Sequence, residues 1–169
     1  QPYFVSPRLL KQGLQDYSYE LGFVRRNYGF DSNNYGRPVV VGTHRLGFND
    51  QFTGEFHVEM LRNQQAVGLG GVLLSPGSGI FSGSLAMSNS GKGVGGLLNI
   101  GIQRQSRSFN FGADTQLASE RFAKLGQHLK ELAPQQISNM FFSLPIKNYG
   151  SFTANYALQT FRQKSQNKI

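Results

Sequence analysis

Hydrophobic and polar residues alternate with a period of two along most of this chain. In the segment FTGEFHVEML, which begins at Phe52, apolar residues and a glycine share one side, whereas Thr53, Glu55, His57 and Glu59 share the other. Such alternation is typical of a β-strand with one apolar and one polar face. The same pattern, clearer in some places than in others, predicts nine strands at residues 14–26, 38–48, 52–61, 65–74, 80–88, 94–103, 109–117, 137–146 and 152–159. Strands of roughly ten residues are long enough to cross a bilayer when tilted.

The connections between the predicted strands differ in length. Short turns rich in Asn, Asp, Gly and Pro join the second strand to the third, the fourth to the fifth, the sixth to the seventh and the eighth to the ninth. The other connections are mostly longer, notably 27–37 and 117–136, and only 62–64 departs from this contrast. Tight turns on one side and long loops on the other are typical of outer-membrane barrels. We therefore favour a barrel over a soluble antiparallel sandwich, which needs no such asymmetry.

One segment departs from the strand pattern. In residues 118–132, apolar side chains recur at helical spacing, beginning at Ala118 and continuing through Phe122, Leu125, Leu129 and Leu132. This spacing predicts a short α-helix with one apolar face, and Pro134 ends it. Gly126 lowers the stability of such a helix by about 1 kcal/mol relative to Ala. The alternative is an ordinary surface loop with a single helical turn.

Composition and charge narrow the possible functions. The 169 residues include 17 Lys and Arg against 9 Asp and Glu, which gives a net charge of +8. These cations are spread along the chain rather than clustered, so we expect no nucleic-acid partner. The absence of cysteine excludes disulfides, thiolate metal sites and iron–sulfur clusters. Because the sequence begins with Gln1 and not Met, we expect it to be a piece of a longer protein.

Motifs that could bind a cofactor or catalyse a reaction are few. Residues 91–96, GKGVGG, match the G-x-G-x-x-G dinucleotide fingerprint, but a predicted strand follows where the fingerprint requires a helix. His57 and Glu59 resemble half of a zinc-deaminase motif, which needs cysteines that the chain lacks. The three histidines are not spaced as ligands on one helix. We expect no enzymatic activity, no cofactor and no metal site.

Six segments, in order along the chain, carry a family resemblance. The most specific is the block QPYFVSPRLLKQGLQDYSYELG at residues 1–22, and weaker ones follow at residues 33–36, 42–47, 52–57, 109–113 and 149–152. Together they resemble outer-membrane fimbrial ushers of the chaperone–usher pathway, most of all the archaic branch. The opening block resembles the point where an usher chain leaves its plug domain and re-enters the barrel. The resemblance covers nearly the whole chain and is least informative in the C-terminal tail, residues 163–169.

The resemblance implies a fold and a set of partners. Ushers of this kind are barrels of about 24 strands, with a plug between the sixth and seventh, so the nine strands here would be the seventh to fifteenth. The family has a helix between its thirteenth and fourteenth strands, where residues 118–132 fall. The implied fold is all-β: antiparallel transmembrane strands forming part of a barrel wall, with one short loop helix. The implied partners are periplasmic chaperone–subunit complexes, pilus subunits with their tip adhesin, and the lipid of a Gram-negative outer membrane.

In such a wall one strand face meets lipid and the other lines the pore. The apolar side, which includes Phe56, Ile100 and Tyr156, is predicted to face lipid. The polar side is predicted to line the lumen, because a strongly apolar lumen would trap exposed surfaces of passing subunits. Its residues are Arg45, Thr53, Glu55, His57, Glu59, Asn99, Gln103, Asp114, Gln116, Asn155 and Gln159. The apolar stripe of the predicted helix, Phe122, Leu125, Leu129 and Leu132, is expected to contact the plug.

Two other functions remain open on the sequence. The first is a small self-contained outer-membrane barrel, a porin or an adhesin; such chains commonly finish on an aromatic residue, whereas this one ends Gln166-Asn167-Lys168-Ile169. The second is a soluble basic β-protein that binds polyanions, for which dispersed charge gives little support. The preferred hypothesis is a non-enzymatic outer-membrane pore that secretes and assembles chaperone-delivered pilus subunits.

Overall fold

A single antiparallel sheet accounts for the fold. The computed structural model describes residues 8–25, 35–123, 134–146 and 149–161. In these ranges the strands are β1 (Gln15–Arg25), β2 (Tyr35–Asn49), β3 (Phe52–Leu61), β4 (Gln64–Ser75), β5 (Gly79–Ser90), β6 (Gly93–Gln105), β7 (Asn110–Ala118), β8 (Gln136–Ile146) and β9 (Gly150–Thr160). Their order in the sheet is their order in the chain. The prediction of an all-β fold with nine antiparallel strands is confirmed.

Every strand alternates between two faces, and the register aligns these faces across the sheet. Arg45 of β2 pairs with Asp16 of β1 and with Glu55 of β3. The face of the sheet that carries these three side chains is called the polar face. The opposite side, the apolar face, carries among others Tyr17, Phe56, Leu69, Leu85, Ile100 and Phe142. The described strands therefore form a two-sided wall.

The distribution of exposed residues is the reverse of that in a soluble sheet. On the apolar face Leu21 is 83% exposed and Leu69 and Leu85 are each 64% exposed. Most of the buried strand positions lie on the polar face, including Thr53 and Val72. An exposed apolar surface of this extent marks a face that contacts lipid or a partner.

Neighbouring strands are displaced along their axes by an average of one residue per strand. Paired residues can be followed across the sheet from Gln15, the first residue of β1, through Gly54 and Ile100 to Leu158. Leu158 lies eight residues after Gly150, the first residue of β9. One residue of ~3.3 Å for each ~4.8 Å step between strands corresponds to a strand tilt of about 35°. Barrels need tilts of roughly 35–45° to close.

The short turns lie at one end of the sheet, called the turn end. In the described residues they are 50–51, 76–78 and 106–109, and the end of β8 at Ile146 and the start of β9 at Gly150 lie at the same end; the opposite end is called the loop end. The contrast in length between the two ends is smaller than predicted, because the loop end also has a two-residue turn at 91–92 besides 62–63. Gly93, with a φ of 94°, permits this tight turn inside the GKGVGG segment. The segment is thus a hairpin.

The predicted helix is wrong for the part of it that is described. Ala118 is the last residue of β7, and residues 119–123 form a turn followed by irregular backbone. Their backbone groups bond to other strands instead: the N–H of Ser119 donates to the carbonyl of Gly96, at 2.8 Å. Leu125, Leu129 and Leu132 lie outside the described residues, as does the tail at 163–169.

No helix in the described ranges is both long enough and apolar enough to span a membrane.

Candidate pore wall

The register brings the predicted lumen residues together on the polar face. Cross-strand pairs link Arg45 to Glu55 and Asn99 to Gln116, and the remaining residues follow the same rows. All eleven share this face: Arg45, Thr53, Glu55, His57, Glu59, Asn99, Gln103, Asp114, Gln116, Asn155 and Gln159. That this face lines a lumen stays a prediction.

The acidic side chains of the described strands also share the polar face. They are Asp16, Glu20, Glu55, Glu59 and Asp114. Arg45 offsets two of these charges, because its Nε lies 3.1 Å from Glu55 Oε2 and its Nη1 lies 3.5 Å from Asp16 Oδ2. The Arg45 side chain is only 9% exposed, so this ion-pair cluster holds β1, β2 and β3 together on the polar face.

A second polar cluster lies two residues further along β2 and β3, away from the turn end. His57 Nδ1 forms a hydrogen bond of 2.7 Å with Thr43 Oγ1, and its Nε2 lies 3.1 Å from Glu59 Oε1. The imidazole thus connects β2 to β3 and keeps the Glu59 carboxylate bonded. In the described residues no group of three or more His, Asp or Glu side chains is arranged to hold a metal ion.

The N-terminal segment, residues 8–14, crosses the polar face near the turn end and is called the strap. The N–H of Leu10 donates to Thr53 Oγ1 at 2.8 Å, and Arg45 Nη2 donates to the carbonyl of Arg8 at 2.6 Å. Gly47 lies directly beneath the strap, where an added Cβ would collide with the carbonyl oxygens of residues 10 and 11. Thr53 is only 1% exposed, so the predicted lumen residues Thr53 and Arg45 hold the chain's own strap.

Residues 119–123, called the fold-back segment, cross the polar face near the loop end. Phe122 is 1% exposed and packs in a cluster with small and apolar residues of β4–β7. The N–H of Ala123 donates to Ser88 Oγ at 2.9 Å. Gly95 lies under the backbone of residues 121 and 122, which leaves no room for a Cβ there. Phe122, predicted to touch a plug, therefore contacts the wall itself.

Sequence reasoning missed several residues of this face. Asp16, Thr43 and Ser88 were not singled out, although each bonds to a residue of the wall or of a crossing segment. The available signal was glycine within strand patterns, at Gly47 and Gly95, because an isolated strand glycine often marks a close backbone approach.

Aromatic side chains on the apolar face gather near the turn end. They are Tyr17, Tyr19, Phe48, Phe52, Phe81, Phe109, Phe111, Phe142 and Phe152. Several stack, such as Phe48 and Phe52 with ring centroids 5.5 Å apart. The Arg104 guanidinium lies over the Phe109 ring, at 5.4 Å. Such a belt is typical of the level where a barrel passes from lipid to water.

Polar residues end the apolar face at the loop end. Gln65, Asn89 and Gln136 lie on this face, each ten residues from the turn-end residue of its strand. About nine residues of each of these strands lie between the turn end and the polar residue, and at ~3.3 Å per residue and a tilt of about 35° they span about 25 Å. Outer-membrane barrels carry an apolar band of about 25 Å.

The fold resembles that of part of a pilus-assembly protein. A chain of the cryo-EM structure of the E. coli P pilus tip assembly intermediate PapC-PapD-PapK-PapG, the PapC usher, superposes with a TM-score of 0.80 at 14% sequence identity. The superposition covers 93% of the present chain and 21% of that chain. No protein-family model matches the sequence, and no curated protein matches it. The likeness shows that the nine strands have the fold of a segment of an usher.

Proposed function

We propose that this chain forms part of the wall of a non-enzymatic outer-membrane pore that secretes and assembles chaperone-delivered pilus subunits. The observation that carries the proposal is the two-sided wall: an exposed apolar band about 25 Å tall with an aromatic belt, backed by a polar face that holds the acidic side chains of the described strands. A soluble protein would not expose an apolar face of this extent, whereas the wall of a membrane pore has an apolar face towards lipid and a polar face towards water.

The polar face supports passage of folded protein. Its groups are mixed in charge and hydrogen-bonding character, and Arg45 is already paired with Glu55 and Asp16. Weak, distributed polar contacts let a subunit slide without being held. In this proposal the partners of the pore are periplasmic chaperone–subunit complexes and pilus subunits with their tip adhesin.

The fold likeness supports the kind of partner. The superposed structure contains PapC together with PapD, PapK and PapG in a P pilus tip assembly intermediate. The present chain spans about a fifth of that chain, so the activity and partners of the whole protein are part of the proposal.

Location is tested first. The full-length protein should sediment with the outer membrane of a Gram-negative host, resist extraction by carbonate, and change mobility on an SDS gel when heated. Recovery of the unheated protein in the soluble fraction would contradict the membrane proposal and favour a soluble β-protein.

Pilus assembly is tested next. Deleting the gene should abolish surface pili while chaperone–subunit complexes accumulate in the periplasm, and the full-length gene should restore the pili, as seen by electron microscopy. A deletion strain that keeps its pili but loses uptake of small solutes would contradict the assembly role and favour a self-contained porin.

A further inference from the structure

A small pocket lies on the polar face across β5–β8, near the turn end. Its volume is about 130 Å³, and its lining includes Ile80, Gln103, Asp114 and Phe141. Phe141 of β8 pairs with Gly112 of β7, and Asp114 lies two residues further along β7 on the same face. Drug-sized ligands occupy pockets of ~300–1,000 Å³, so this pocket has room for the end of a single side chain.

An aromatic ring forms one wall of this pocket. The Phe141 ring leans from β8 across Gly112 of β7, because a Cβ added at Gly112 would overlap the ring. The Phe141 side chain is still 38% exposed, so part of the ring is accessible from the polar face. The aromatic belt lies on the other face of the sheet, which sets Phe141 apart as a ring among polar neighbours. The face of such a ring attracts cations.

The carboxylate beside this ring has no cation bonded to it among the described residues. In that part of the chain Asp114 forms a single hydrogen bond, in which Asn139 Nδ2 donates to Asp114 Oδ2 at 3.1 Å. By contrast, each carboxylate of β3 has Arg45 or His57 at 3.1 Å. The Asp114 carboxylate is therefore available to a cation from outside the wall.

The ring and the carboxylate together match a guanidinium group. A guanidinium stacks its planar face on an aromatic ring while its N–H groups donate to a carboxylate. The Gln103 side chain, also in the lining, adds a carbonyl acceptor. An anion would be repelled by Asp114, and a neutral group would leave the Asp114 charge unpaired.

We propose that this pocket binds an arginine side chain of a pilus subunit as the subunit passes along the polar face. The guanidinium lies over the Phe141 ring and donates to the Asp114 carboxylate. The inference rests on the proposed function, because that function brings subunits to this face, and it names the chemistry of one contact between subunit and wall. Exposed ion pairs are weak, so this contact slows a subunit without retaining it.

Saturation-transfer NMR of the full-length protein in detergent micelles tests the chemistry of the pocket. N-acetyl-arginine amide is the probe, and N-acetyl-citrulline amide, which has a similar shape but no charge, is the control probe. The wild type should bind the arginine probe about fivefold more tightly than the citrulline probe. Equal affinity for the two probes would overturn the site, and this comparison needs no variant to fold.

Substitutions test the two groups separately. Asp114→Asn should remove the preference for the arginine probe, and Phe141→Leu should weaken binding of that probe about threefold, because it removes the ring. The matched controls are Glu20→Gln, which removes a carboxylate from the polar face of β1, and Phe142→Leu, which removes a ring from the apolar face of β8. Both controls should bind the probe as the wild type does. Equal weakening by Asp114→Asn and Glu20→Gln would mean that only the general charge of the face attracts the probe, which would overturn the site.

Cross-linking in pilus-producing cells tests the source of the arginine. The photoreactive residue p-benzoyl-phenylalanine replaces Asn155, which pairs with Phe141 and is exposed on the polar face. The full-length protein should form a cross-linked product that contains a pilus subunit, and Asp114→Asn should reduce its amount. Absence of a subunit from the product, or an amount that Asp114→Asn leaves unchanged, would overturn the inference.

Failure of this inference differs from failure of the proposed function. The probe measurements use purified protein that already runs as a heat-modifiable barrel, and the cross-linking uses cells that carry surface pili. A negative result in either therefore overturns the arginine site and leaves the proposed function standing. A deletion strain that keeps its pili would instead contradict the proposed function.

Discussion

Two glycines on the polar face decide where other parts of the chain lie. Gly47 admits the strap and Gly95 admits the fold-back segment, because the backbone of each crossing segment lies where a Cβ would be. Glycine also costs strand stability, since it contributes no side chain to packing. At these two positions the space that it leaves is used by the crossing segment.

Gly95→Val tests the fold-back segment. The added side chain should displace residues 121–122 and expose Phe122, which loses about 2 kcal/mol of apolar burial. In a pore whose closed state uses this segment, a rare open state should become about thirtyfold more populated. Planar-bilayer conductance of the full-length protein measures the open fraction.

Gly83→Val serves as the control, because it changes the neighbouring strand on the other face without touching a crossing segment. Conductance that is the same in the wild type and in Gly95→Val, at equal surface levels, would assign the fold-back segment a structural role only.

Arg45→Met tests the strap. The substitution removes the hydrogen bond to the carbonyl of Arg8 and leaves Glu55 without its cation. Loss of a partner to a largely buried charged group costs about 1–3 kcal/mol, so the urea midpoint of the full-length protein should fall and the strap should be cut faster by protease.

The double variant Arg45→Met/Glu55→Gln should recover part of the lost stability, since it also removes the unpaired charge. If Arg45→Met and the double variant have equal midpoints, the unpaired Glu55 charge does not contribute to the loss of stability.

Thr53 shows the limit of reasoning from one residue and its neighbours. The alternation correctly predicted that Thr53 lies on the polar face. From that face alone, the Thr53 side chain would be expected to be exposed to the lumen. In the structure it is buried because the strap, more than forty residues earlier in the sequence, donates a hydrogen bond to it. Contacts between segments so far apart in sequence leave no periodic signal. The alternation alone would allow an arginine at position 53, but in the structure its side chain would collide with the strap.

At the scale of elements, the strands present residues to the apolar face and to the polar face in alternation. Ile100, on the apolar face of β6, is 58% exposed and lies near the middle of the apolar band. Ile100→Arg should therefore destabilise the barrel by roughly 2–4 kcal/mol, the cost of a lipid-facing arginine at the midplane. Gel mobility of unheated samples across a urea series measures it.

Gln103→Arg is the matched control, since it places the same side chain on the polar face of the same strand. Equal destabilisation by both substitutions would mean that the two faces are not in different solvents, and the orientation of the wall would be wrong.

The elements differ in how far the sequence predicts them. Period-two alternation predicted the strands and their faces, because that period is a direct consequence of strand geometry. The helical spacing from Ala118 to Phe122 was wrong as a secondary-structure prediction, since Ala118 completes β7 and Phe122 is buried by a turn. The GKGVGG segment was interpreted as a hairpin loop, but its turn at 91–92 is shorter than predicted because β5 and β6 extend beyond the visible alternation.

At the scale of the whole molecule, the sheet is open. β1 and β9 each pair with one neighbour in the described sheet and leave an edge of backbone donors and acceptors. Such edges cannot remain unpaired in a hydrocarbon environment. A protein limited to residues 1–169 should therefore aggregate in the host membrane, whereas the full-length protein should run as a compact, heat-modifiable species on SDS gels.

A compact, heat-modifiable monomer formed by residues 1–169 alone would contradict this and favour the self-contained barrel.

The strands lie in the sheet in the same order as in the chain, and this order affects how the sheet can form during folding. Each strand pairs only with the strand before it and the strand after it, so its ladder can form as soon as its predecessor is in place. Turns of two to four residues close β2–β3, β4–β5 and β6–β7, and short closures cost the least chain entropy. A wall of this topology can grow hairpin by hairpin from its turn end, whereas the strap and the fold-back segment must each meet a strand residue more than thirty positions away in the chain.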